Sequence, residues 1–113
     1  MKALTVRQPY ANMILRGDKE EEYRTWNTSY RGRLLIVSAR ANCEQGSEPP
    51  YGVAICTVLL VSVSYHNGVY VWRLSDPKPV PNVPIRGRQG LYEVGGRTTV
   101  VDAPITGSVD IVA

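Results

Sequence analysis

Apolar residues recur along this chain with two periods. Tyr10, Ala11, Ile14 and Leu15 repeat at helical spacing. Pro9 precedes them and suits a first helical position, because its missing N–H would be unpaired there anyway. Gly17 follows them and suits the left-handed conformation that ends many helices. A helix over residues 9–16 is predicted. About two turns are not stable alone in water, so this helix must pack on a sheet.

The rest reads mostly as strand. Glu20 to Trp26 alternates, with Glu20, Glu22, Arg24 and Trp26 on one face and Glu21, Tyr23 and Thr25 on the other. Leu34 to Ala39 is a short buried strand, and Cys43 to Pro50 a polar loop. Tyr51 to Tyr65 is a long β-branched run without an internal breaker. Asn67-Gly68 supplies the two positive-φ positions of a type I′ turn, so Val69 to Leu74 is expected to return antiparallel to that run. Asp76 to Pro84 holds four prolines and is excluded from a central strand. Leu91 to Val94 is a last short strand. The expected fold is mainly β with one or two short helices, closing as a small antiparallel β-barrel. Closure removes the exposed edges that so short a chain could not otherwise cover.

Composition narrows the class. With 113 residues, 43% apolar and 20% charged, this is an ordinary folded chain of about one domain. It is too short for a two-domain enzyme or a complete dinucleotide-binding fold. No stretch reaches the roughly 18 apolar residues of a membrane span. The first residues meet Arg7 at once, without a signal-peptide hydrophobic run. Cys43 and Cys56 lack the closely spaced partners of a disulfide framework or zinc site. Both are expected to be reduced thiols in a cytoplasmic protein. No metal and no cofactor is expected.

Charge is uneven. Residues 1–40 carry eight Lys or Arg against four Asp or Glu, whereas residues 41–113 carry five against six. A basic half suits an anionic partner such as nucleic acid, or is simply a solvated face. Seven tyrosines and two tryptophans offer stacking faces.

Familiar catalytic sets are mostly missing. His66 is the only histidine and sits beside the Asn67-Gly68 turn, a poor place to hold a base rigidly. There is no Walker-type phosphate loop. Gly87-Arg88-Gln89-Gly90 has the spacing of a KH backbone clamp, but it precedes a strand instead of joining two helices. The informative segment is Gly17 to Arg24. Glu22 and Arg24 share a strand face and can pair, and Lys19 lies just past the helix end. A lysine, a carboxylate and an arginine together suit anion binding, base-edge hydrogen bonds or acid–base work; they also suit an ordinary ion-paired surface strand.

The Gly-x-Lys-x-x-Glu-x-Arg pattern at Gly17, Lys19, Glu22 and Arg24 resembles the signature of the ASCH domain, a branch of the PUA-like β-barrel superfamily. Leu4 to Ala11 resembles that family's opening strand and helix entry. Tyr30 to Ile36 is similar to its next strand, and Gly87 to Val94 to its closing G-x-x-G-L-W-x-V. The resemblance spans about residues 3–94, with residues 95–113 left as an extension, either an extra strand or disordered. It implies a PUA-like barrel with a cleft beside the motif and RNA or a nucleotide-like ligand in it. Arg7, Lys19, Arg24 and Arg88 would then meet phosphates, Tyr10 and Trp26 would stack bases, and Gln8, Glu22 and Gln89 would complete the binding set.

The chain departs from the family pattern in places. Tyr10 and Tyr92 stand where tryptophan is common, and Val37 where a histidine is frequent. Small relatives that hydrolyse N4-acetylcytidine resemble G-x-K-x-x-T-x-R and use a later glutamate. This chain has Glu22 instead of the threonine and no acidic residue between Tyr51 and Ser75. Two other readings stay open: a hydrolase acting on RNA or a modified nucleoside through Lys19 and Glu22, and a protein-interaction or small-ligand-sensing module.

Overall fold

The computed structural model describes residues 1–95. Along the chain run β1 (Lys2–Val6), α1 (Tyr10–Arg16), β2 (Glu21–Arg24), β3 (Gly32–Ser38), β4 (Ala54–His66), β5 (Val69–Pro79) and β6 (Leu91–Glu93). The strands form one sheet in the order β2-β5-β4-β3-β1-β6. Four pairings are antiparallel, while β1 and β3 run parallel, Leu4 opposite Ile36. A parallel pair needs a crossover, and α1 with β2 supplies it. The sheet curls strongly. Arg24 of the end strand β2 donates from Nη2 to the carbonyl of Thr5 in β1, at 3.0 Å, although four strand positions separate them in the sheet order.

The curl has an apolar interior. Leu4, Val6, Leu34, Ile36, Val58, Leu60, Trp72 and Leu74 meet there, covered by Ala11 and Ile14 of α1. On the opposite face Ala3, Leu35, Val37 and Ala54 meet Val80, Ile85 and Val94. Both faces of β3 are therefore covered, which explains its unbroken apolar sequence where a half-exposed strand would alternate.

Two turn signals act as the sequence predicts, whereas Pro9 stands as the N-cap and α1 begins one residue later than expected, at Tyr10. Gly17 is left-handed (φ 80°), and the N–H groups of Gly17 and Asp18 close the helix on the carbonyls of Ile14 and Met13. Asn67 and Gly68 both have positive φ (51° and 85°) and join β4 to β5.

Strand bounds differ from expectation: β3 starts two residues early at Gly32 and β4 three residues late at Ala54. β2 spans only Glu21–Arg24, shorter than the alternating run. β5 extends through Pro77 to Pro79, beyond the expected end at Leu74. Beyond Leu74, β5 has β4 on one side only, because β2 pairs with Tyr70 to Arg73 and the Glu20 carbonyl accepts the Leu74 N–H. The prolines thus stand on a locally open edge, where a missing N–H costs no ladder bond. Among the described residues no helix is long and apolar enough to cross a membrane. The expected extension, apart from Gly95, lies outside the described residues.

Candidate functional site

The site forms where α1 ends and β2 begins. Strand alternation turns Glu22 and Arg24 to the inner face of the curl, while Tyr23 points outward and is 55% exposed. Glu22 is 8% exposed. Its Oε2 accepts from Arg24 Nε at 2.9 Å and lies 2.7 Å from Arg24 Nη2, a two-pronged charge-assisted contact. Arg24 Nη2 also reaches the Thr5 carbonyl. The arginine therefore ties β2 to β1 and orients the carboxylate at once.

Lys19 precedes β2, so its direction is not set by the pleat. Its backbone N–H bonds to the Met13 carbonyl, which fixes it to the helix end. Its side chain, 15% exposed, brings Nζ to 3.6 Å from Glu22 Oε1. The ammonium also lies 4.9 Å from the Tyr23 ring centre and 5.5 Å from that of Tyr10, within cation–π range of both. Each carboxylate oxygen thus faces its own cation, and Lys19 is a fixed charge beside two rings.

Tyr10 is anchored in turn. Its hydroxyl donates to Glu44 Oε1, and the guanidinium of Arg7 lies 6.0 Å from its ring centre. The hydrogen bond to Glu44, and then the charge of that carboxylate, raise the Tyr10 pKa above its ordinary value. Tyr23 is raised likewise by its hydrogen bond to Glu21. Both phenols remain protonated donors near neutral pH. Thr5, Val6, Arg7, Tyr10, Lys19, Glu22, Tyr23 and Arg24 enclose a cleft of about 560 Å³. It holds three cations and one carboxylate.

The other sequence-predicted residues lie elsewhere. Arg88 and Gln89 line a neighbouring groove of about 720 Å³, which meets the cleft at Thr5. Gln8 is fully buried and does not reach the cleft. Its amide donates to the Pro50 carbonyl and to Asn12 Oδ1, and its Oε1 accepts the Asn12 backbone N–H in the first turn of α1. It holds the helix entry, where Pro9 offers no capping side chain. Trp26 stands edge-on to Trp72 with ring centres 4.9 Å apart and lines neither cavity. Tyr23 and Glu44 were missed as site residues. Alternation places Tyr23 on the outer face of β2, and only the turn before the strand lifts Lys19 over it. Glu44 arrives from a loop distant in sequence, with no local signal.

Comparison with known proteins agrees with this architecture. A crystal structure of a tyrosine-to-phenylalanine variant of ZmASCH from Zymomonas mobilis superposes with a TM-score of 0.65, covering 84% of this chain and 90% of that one. At 13% identity, that similarity speaks to the fold alone. No curated protein matches the sequence. The ASCH domain model matches residues 4–78, from β1 to the end of β5, a stretch that holds the Lys19–Glu22–Arg24 cluster and every residue of the cleft. This chain belongs to the ASCH domain family.

Proposed function

We propose that the cleft binds a nucleotide, as a unit of single-stranded RNA. The observation that carries this reading is the pairing of cations with aromatic faces around one open volume. Lys19 lies between the Tyr10 and Tyr23 rings, and Arg7 stands at the rim of Tyr10. A phosphate needs positive charge, and a base needs a π-face at a few ångströms from it. The exposed ring of Tyr23 and the part-exposed ring of Tyr10 offer such faces. Glu22, with both oxygens engaged by protein cations, orients those cations and leaves a positive balance at the mouth. A base that enters such a cleft is unpaired, so the substrate class is single-stranded.

Titration of the protein with a nucleoside monophosphate and with a short RNA, at low and at moderate salt, tests the reading. Micromolar or weaker affinity is expected, with a shallow fall in log affinity against log salt, because few phosphates are contacted. Lys19→Ala is expected to weaken both ligands. Absence of binding at low salt, or binding indifferent to Lys19, overturns the reading.

A further inference from the structure

The groove beside the cleft carries charge that the fold does not use. Arg40, Arg86 and Arg88 line it, and no Asp or Glu does. Elsewhere Arg16 pairs with Asp18, Arg24 with Glu22, Arg33 with Asp76 and Arg73 with Glu21, while Arg7 and Arg31 bond to backbone carbonyls. None of the three groove arginines forms an ion pair with a described residue. Like charges that line one groove without counter-ions repel one another, so an anion bound among them would relieve that repulsion.

The groove is also built in register with the cleft. Thr5 is the wall common to both. Its carbonyl is held by Arg24 from the cleft side. Its hydroxyl bonds to the Tyr92 hydroxyl at 2.7 Å and accepts the Arg88 backbone N–H at 3.3 Å from the groove side. Arg7 reaches from the cleft to the Asn42 carbonyl, a residue of the groove lining. Arg40 is seated on Gly52, where a side chain would strike its Nε at 2.5 Å. The two concavities are therefore parts of one path with a fixed offset.

We propose that this groove is a second subsite for the sugar-phosphate backbone of a single-stranded polynucleotide, continuing from the nucleotide held in the cleft. The inference rests on the nucleotide reading of the cleft. It adds that the ligand is a strand of several nucleotides and that Arg40, Arg86 and Arg88 hold its phosphates. An acidic peptide would satisfy the arginines but not the adjoining rings, so the polynucleotide is favoured.

The test compares uridine monophosphate with an eight-nucleotide oligouridine, on the wild-type chain and on Arg86→Ala/Arg88→Ala. The oligonucleotide should bind at least about tenfold more tightly than the monophosphate to the wild type. The double variant should lose about that advantage while its monophosphate affinity stays within about twofold. Its log–log salt slope should flatten by about 1.4, for two lost phosphate contacts on a single strand. Arg40→Glu should act in the same direction. If the monophosphate binds but length adds nothing, or the variants leave oligonucleotide affinity intact, the groove proposal falls while the cleft reading stands. If neither ligand binds the wild type, the cleft reading fails first. If an oligoglutamate peptide displaces the RNA as well as unlabelled RNA does, the groove is a general anion surface and the proposal is overturned.

Discussion

The cleft and the groove are both basic, yet they handle charge in opposite ways. In the cleft, Lys19 and Arg24 converge on one buried carboxylate, and Arg24 also ties two strands together. In the groove, three arginines stand without a carboxylate. Charge of the first kind is engaged by the fold. Charge of the second kind is, on the proposed reading, left for a ligand. Substitutions in the two places should therefore separate stability from binding.

The largest effect is expected for Glu22→Ala. It strands two cations in a confined space, and a lost charged hydrogen bond in part-buried surroundings costs about 2 kcal/mol. Denaturant unfolding measures it. A loss under about 0.5 kcal/mol would show that water already screens the cluster and would erase the contrast with the groove.

Lys19→Ala comes next. An ordinary exposed lysine costs at most about 0.5 kcal/mol when substituted. The seat of Lys19 over two rings and beside Glu22 raises the expected loss to about 1 kcal/mol. Unchanged stability with weakened nucleotide binding would make Lys19 a purely ligand-facing residue, like the groove arginines.

A pH scan sharpens the comparison at the seam between the two regions. Burial raises the Tyr92 pKa above its ordinary value of 10.0, against the opposing effects of Thr5 and Arg88. Tyr10 and Tyr23 are raised as well. A phenol with a higher pKa folded than unfolded contributes stability below its ordinary pKa and loses it as pH rises through the folded value. Stability should therefore decline from about pH 10 upward, and Tyr92→Phe should flatten part of that decline. An identical slope in the variant would remove Tyr92 from the account.

The smallest effect on the fold is expected from Arg86→Ala/Arg88→Ala. Both side chains are exposed and unpaired among the described residues, so thermal unfolding should shift by no more than about 0.5 kcal/mol. A larger loss would mean that the groove arginines support the fold after all.

What was legible in the sequence follows the range of the interactions. Gly17 and Asn67-Gly68 announce their turns because the backbone angle is a property of the residue itself. Glu22 and Arg24 announce their pairing because a strand repeats every two residues. The extension of β5 through Pro77 and Pro79 was hidden, since a proline is tolerated or not according to which neighbour a strand lacks. Lys19 over Tyr23 was hidden for a similar reason: its direction is set by the end of α1, not by the pleat. The groove was the least legible. Arg40 and Arg86 lie in separate loops, and the parallel pairing of β1 with β3 and its closure by β6 bring them into one groove with Thr5.

The place of β1 has a consequence for synthesis on the ribosome. β1, which precedes every other strand of this sheet in chain order, is clasped between β3 and β6, with Lys2 to Leu4 opposite Leu91 to Glu93. Contacts so far apart in sequence form late, because a long loop must close before they can contribute. A nascent chain can assemble the β4–β5 hairpin, with its local turn, well before residue 93 leaves the exit tunnel. Until then β1 has one open edge, and the Thr5 hydroxyl lacks both Tyr92 and the Arg88 amide. The wall shared by the two cavities is thus among the last parts of this sheet to be completed, and a chain that stops short of β6 would expose an apolar strand edge.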